Sequence, residues 1–114
     1  MTEPRLASSV QVSAFIRLAE LGGDFATVLR KGDPVAGAIL LIGLVRGENP
    51  RLFERFPLIA GGSPWQQMAK QPTENETEIT ERWKKRAASD PDLWVIELDV
   101  AMPERLDLLL ASAY

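Results

Sequence analysis

From Phe25 to Arg46 the chain reads FATVLRKGDPVAGAILLIGLVR, two runs of strand-forming residues joined by Gly32-Asp33-Pro34. Thr27-Val28 is a β-branched pair, which suits a strand over Phe25 to Lys31. The next run, Ala38 to Arg46, is apolar at consecutive positions rather than alternate ones. Side chains of a strand alternate between its two faces, so such a run has to be covered on both sides. The stretch sets a sheet as the core and puts its second strand at the centre. In the junction, Gly tolerates positive φ, Asp bonds nearby backbone and Pro withholds a donor, which predicts a hairpin turn. Val35 to Val45, the longest apolar run, falls well short of the roughly 20 residues that span a bilayer as a helix.

The flanking elements follow from periodicity. Ser8 and Gln11 have capping-box spacing, and Val12, Phe15, Ile16 and Ala19 recur at three and four residues, predicting a helix over residues 9–21 that Gly22-Gly23 stops. Val10, Val12 and Ala14 also alternate as a strand would, but Phe15-Ile16 breaks that pattern. Gly47-Glu48-Asn49-Pro50 reads as a turn, Arg51 to Pro57 as a more polar edge strand, and Ala60 to Pro72 as an irregular loop. Thr73 and Glu76 repeat the capping-box spacing before a helix over residues 74–89, with Ile79, Trp83 and Ala87 as its apolar stripe. Asp90-Pro91-Asp92 ends that helix, Leu93 to Val100 returns as a strand, and Pro103 opens a short terminal helix through Leu110. The expected fold class is α+β and two-layer. It has a mainly antiparallel sheet of about four strands, the first three as a meander, with two main helices on one face, in the order helix-strand-strand-strand-helix-strand. One domain spans residues 1–114, with 101–114 as a leucine-rich C-terminal extension.

VSAFIRLAELGGDFATVLRKGDPVAGAILL, followed by DPDLWVIELD, resembles a family of short alphaproteobacterial proteins known as domain of unknown function 1491. The resemblance runs from about Val10 to Asp99, and GGDFATVLRKGDPVAGA is its specific part. It implies no activity, substrate or cofactor.

Composition narrows the chemistry. Among 114 residues there is no histidine and no cysteine, which removes the Ser-His-Asp and Cys-His hydrolases and zinc held through those ligands. Absence of cysteine suits a cytoplasmic protein, and the residues of MTEPRLASSVQV form no continuous apolar segment of a secretory signal. A net charge of −3 argues against a sequence-blind grip on nucleic acid. Asp90, Asp92, Glu97 and Asp99 are close in sequence but lack the glycine and spacing of a calcium loop. Asp92 with Glu97-Leu98-Asp99 has the acidic part of a restriction-nuclease motif, yet Asp99 stands where its lysine belongs. Gly32 to Gly37 lacks the lysine and the following helix of a phosphate loop.

The leading expectation is therefore a non-enzymatic binding or interaction module without a cofactor. It meets a protein partner, or its own copy, through a sheet edge or through the apolar tail, with Trp65, Leu106, Leu109 and Leu110 as contact residues and Leu108 beside them. The alternative is an anion or phosphate site in which Arg17, Arg30 and Lys31 clamp the ligand and Asp33 orients water or a cation. A third reading is RNA binding through Arg82, Lys84, Lys85 and Arg86 around Trp83. No membrane role is expected.

Overall fold

The computed structural model describes residues 7–55, 65–68 and 75–112. The element order is α1 (Ser8–Leu21), β1 (Phe25–Arg30), β2 (Ile39–Val45), β3 (Glu48–Arg55), β4 (Trp65–Gln67), α2 (Glu76–Ser89), β5 (Trp94–Val100) and α3 (Pro103–Ser112). The α+β class and the helix-strand order hold. The sheet has five strands in the order β1-β5-β2-β3-β4, one more than the sequence predicts, because Trp65–Gln67 forms a short strand on β3. Three neighbouring pairs are antiparallel and one, β2 with β5, is parallel.

Strand β2 lies at the centre as its unbroken apolar run demands. Ile39 and Leu41 point to one side, with Trp94, Ile96, Leu98 and Val100 of β5, and meet Val12, Phe15 and Ala19 of α1 and Leu106, Leu109 and Leu110 of α3. Leu40, Ile42 and Leu44 point to the other side, with Leu52 and Val95, and meet Ile79, Trp83 and Ala87 of α2. This corrects the expected two-layer arrangement with both main helices on one face: α1 and α3 cover one face and α2 the other. The reason is the alternation itself, since a strand apolar on both sides leaves neither face to solvent. Among the described residues no helix is long and apolar enough to cross a membrane.

The first three strands do not form a meander. β5 inserts between β1 and β2, and only β2, β3 and β4 follow one another as hairpins. β3 is accordingly internal and begins at Glu48, and Pro57 lies outside the described residues. The turn before it is tighter than Gly47 to Pro50: Arg46 and Gly47 both have positive φ, and Val45 pairs directly with Glu48. A two-residue hairpin of that hand normally favours Asn or Gly at its first position. Here β5 holds it, because Arg46 N–H donates to Val100 O at 2.8 Å and Gly47 N–H to Asp99 Oδ1 at 3.0 Å.

The Ser8–Gln11 capping box does not form as read. Ala7 is the N-cap of α1, and the helix N–H groups of Ser8 and Ser9 donate to Val35 O and Pro34 O, while Ser8 Oγ donates to Gly37 O at 2.7 Å. The Gly-Asp-Pro loop therefore caps the helix in place of a side chain. On α2, Asn75 is the N-cap and its Oδ1 accepts from Glu78 N–H at 3.0 Å; Thr73 lies outside the described residues. α2 is further docked by an ion pair from Arg86 to the buried Glu54 of β3.

α3 belongs to the core. Leu106 is 0% exposed and packs over Gly43 of β2, where an added Cβ would come within 2.8 Å of the leucine. At the same end, Arg105 Nη2 and Nε donate to Oδ2 of the buried Asp24 at 2.6 and 3.1 Å, tying α3 to the corner between α1 and β1. Replacing Leu106 with alanine empties a closed site, and the expected loss is about 3 kcal/mol of unfolding free energy in a denaturant titration. A loss within about 0.5 kcal/mol would show instead that α3 is a dispensable appendage.

Candidate functional site

The segment Gly32 to Gly37 is a junction of the fold. Asp33 Oδ2 accepts the N–H groups of Val35 and Ala36 at 3.0 and 2.8 Å, closing its own turn. Asp33 N–H donates to Asp92 O, and Trp94 Nε1–H donates to Asp33 O at 2.6 Å. Arg30 Nη1 donates to Leu93 O at 2.7 Å and to Pro91 O at 3.1 Å. The functional groups of Arg30 and Asp33 are thus occupied by the chain's own backbone, joining β1 to the start of β5. Lys31 is exposed beside them, and Arg17 is exposed on α1, where Ser13, Ile16, Arg17, Glu20 and Leu21 border an open hollow of about 440 Å³.

The residues expected to contact a partner lie inside. Leu106, Leu109 and Leu110 are buried in the core, and Trp65 packs on Phe15 with ring centroids 5.8 Å apart. Only Leu108 of that set is exposed. Of the basic cluster, Arg86 is engaged by Glu54, the Lys84 ammonium lies 5.9 Å from the Trp83 ring centroid, and Trp83 itself packs toward the sheet. Asp90 Oδ1 accepts from Asp92 N–H within its turn and Asp99 holds the β2–β3 hairpin. Among the described residues no three acidic side chains gather as a metal site.

What the fold leaves open is the edge strand β1 and the corner before it. No described strand pairs with the outer edge of β1, and the sheet ends there. Leu21 is 81% exposed, Phe25 74%, Val28 38% and Leu29 39%. Gly22 and Gly23 make the corner, Gly23 at φ +83°, and the Asp24–Arg105 pair anchors it. β1 pairs with β5 from Phe25↔Asp99 to Val28↔Ile96, and then skips Leu29 before Arg30↔Val95. A bulge of this kind ends regular pairing and re-aims the side chains around it. The sequence pattern suggests Arg51 to Pro57 as the edge strand and does not single out β1. The available signal was the contrast between Phe25 to Lys31, which carries only three large apolar side chains, and the denser LWVIELDV, which competes better for a central place.

The description "Protein of unknown function (DUF1491)" attaches to a family profile that matches residues 6–107. The chain belongs to the DUF1491 family. The match extends into α3, past Asp99 where the quoted resemblance stopped. A crystal structure of a DUF1491 protein from Caulobacter crescentus CB15 is similar at 38% identity and TM-score 0.67, covering 84% of this chain and 88% of that one. An NMR structure of a DUF1491 protein from the same organism is 36% identical, with TM-score 0.68 and coverage of 86% and 88%. A solution structure of a protein from A. tumefaciens is 28% identical, with TM-score 0.69 and coverage of 85% and 87%. No curated protein matches.

Among the described residues of this DUF1491 protein one carboxyl group is perturbed. Glu97 lies on β5 between Thr27 of β1 and Ile42 of β2, on the face that α2 covers. Burial pushes its pKa above the ordinary 4.5, and the nearby charges of Glu76 and Asp99 push it further in the same direction. Between 4.5 and the raised value the folded chain binds more protons than the unfolded one, so stability falls as pH rises through that window, and the penalty persists above it. Glu97→Gln removes the charge; its expected effect is a higher Tm than wild type at pH 7 and a difference that disappears below about pH 4. A Tm gain unchanged at low pH would place the effect elsewhere than in this ionisation.

Proposed function

We propose that this DUF1491 protein is a non-enzymatic interaction module of the bacterial cytoplasm that takes an extended polypeptide segment onto the open edge of β1. The observation that carries the reading is an edge strand whose Phe25, Val28 and Leu29 are exposed next to Leu21, in a sheet that otherwise hides its apolar residues on both faces. An unpaired strand edge offers a row of backbone donors and acceptors, and the flanking side chains supply apolar burial. The chain's lack of histidine and cysteine agrees with a binding role.

An anion site draws less support, because Arg30 and Asp33 already serve the backbone and leave Arg17 and Lys31 as the groups to hold a ligand. RNA binding would rest chiefly on exposed Lys84 and Lys85 against a net charge of −3.

Native mass spectrometry of the protein purified gently from its own bacterium tests the reading when paired with the double variant Phe25→Lys and Leu29→Lys, both at exposed positions. The expected result is a second polypeptide, its own copy or another protein, retained by wild type and bound at least about 30-fold more weakly by the variant. A wild type that carries no polypeptide, or a complex indifferent to both substitutions, would overturn it.

A further inference from the structure

We infer that the strand received by β1 is β1 of a second copy, antiparallel about a two-fold axis through Thr27; this rests on the edge-docking reading above. A two-fold axis perpendicular to the sheet keeps each face aligned with the same face of the other copy, and it pairs residues whose numbers sum to 54. Phe25 then stands opposite Leu29 of the second copy, Ala26 opposite Val28, and Thr27 opposite Thr27.

The faces agree with this register. Phe25 and Thr27 pair with Asp99 and Glu97 of β5 and so share the α2 side of the sheet, whereas Ala26 and Val28 pair with Leu98 and Ile96 and share the α1 side. Ala26 with Val28 and Thr27 with Thr27 therefore join side chains on one face, a small with a β-branched residue and Thr with Thr, pairings that stabilise antiparallel strands. Leu29, which β5 skips, gains the cross-strand partner that its own sheet denies it.

Charge selects the same direction. Lys31 is exposed at one end of β1, and the other end begins beside Glu20, whose carbonyl accepts Gly23 N–H. The antiparallel register sets Lys31 opposite Gly23, where the space around the absent side chain is open. A parallel arrangement would bring the two Lys31 side chains together instead. The bulge and Lys31 are devices that ordinarily blunt an edge; following the apolar stretch from Phe25, they limit growth to one closed pair, which uses each β1 edge once. A single strand edge with three exposed apolar side chains, and Leu21 beside it, is smaller than the roughly 800 Å² per partner of a standard interface, so the dimer forms in a concentration-dependent way.

Because the chain has no cysteine, single cysteines report the register directly. Under mild oxidation at high protein concentration, Thr27→Cys is expected to form a disulfide-linked dimer at least tenfold faster than Phe25→Cys or Leu29→Cys alone, and a mixture of those two variants is expected to form the mixed dimer. Equal rates for all three single variants would overturn the register. Sedimentation showing a monomer across the concentration range, with no cross-link at Thr27→Cys, would overturn the second copy as occupant. A different polypeptide bound to wild type in native mass spectrometry and lost with Phe25→Lys and Leu29→Lys would do the same, while the edge-docking reading stood; absence of any bound polypeptide would remove both.

Discussion

The parallel pairing of β2 with β5, from Ile39↔Trp94 to Val45↔Val100, is the constraint on which the rest of the structure depends. Both strands send apolar side chains to both faces, so the pair is stable only when each face is covered. α1 and α3 supply one cover and α2 the other, and each cover is fastened by a charge in the interior: Asp24 to Arg105 on the first side, Glu54 to Arg86 on the second. Burying one member of such a pair without the other is strongly unfavourable, so these contacts specify which helix sits where as well as holding it.

The same constraint decides which strand is left outside. β5 takes the place next to β2, and β1 is displaced to the edge with one side toward β5 and the other unpaired among the described residues. Its Gly22-Gly23 corner and the Gly32 to Gly37 loop are pinned at both ends, by Arg105 and by the backbone of Asp92 and Leu93 through Asp33 and Arg30. β1 is thus a firmly positioned edge, which suits recognition of another strand because little ordering remains to be done on binding.

Much of the fold was legible in local pattern. The unbroken run in β2, the three- and four-residue spacing in α1 and the Ile79-Trp83-Ala87 stripe of α2 each report burial that the structure contains. Helix starts were less legible: Ser8 has the composition of a cap, but a carbonyl 29 residues away claims its hydroxyl. Strand order was not legible, because the insertion of β5 between β1 and β2 is a competition between distant segments that no local window compares. The surroundings of the candidate site residues were illegible for a related reason. Arg30 and Asp33 look equipped for an anion, and the tail leucines look equipped for a partner, yet their partners are the backbone of β5 and the core itself. The open edge became visible only after those internal demands were met.

Residue-resolved amide hydrogen exchange, recorded at low and at high protein concentration, tests most directly that a doubly covered β2–β5 pair forms the core and leaves β1 as the open edge. The account predicts the slowest exchange in β2 and β5 at both concentrations. Alternate β1 amides, those turned away from β5, should exchange fast in dilute solution and slow as concentration rises. Outward β1 amides protected in dilute solution as strongly as those of β2 would contradict it.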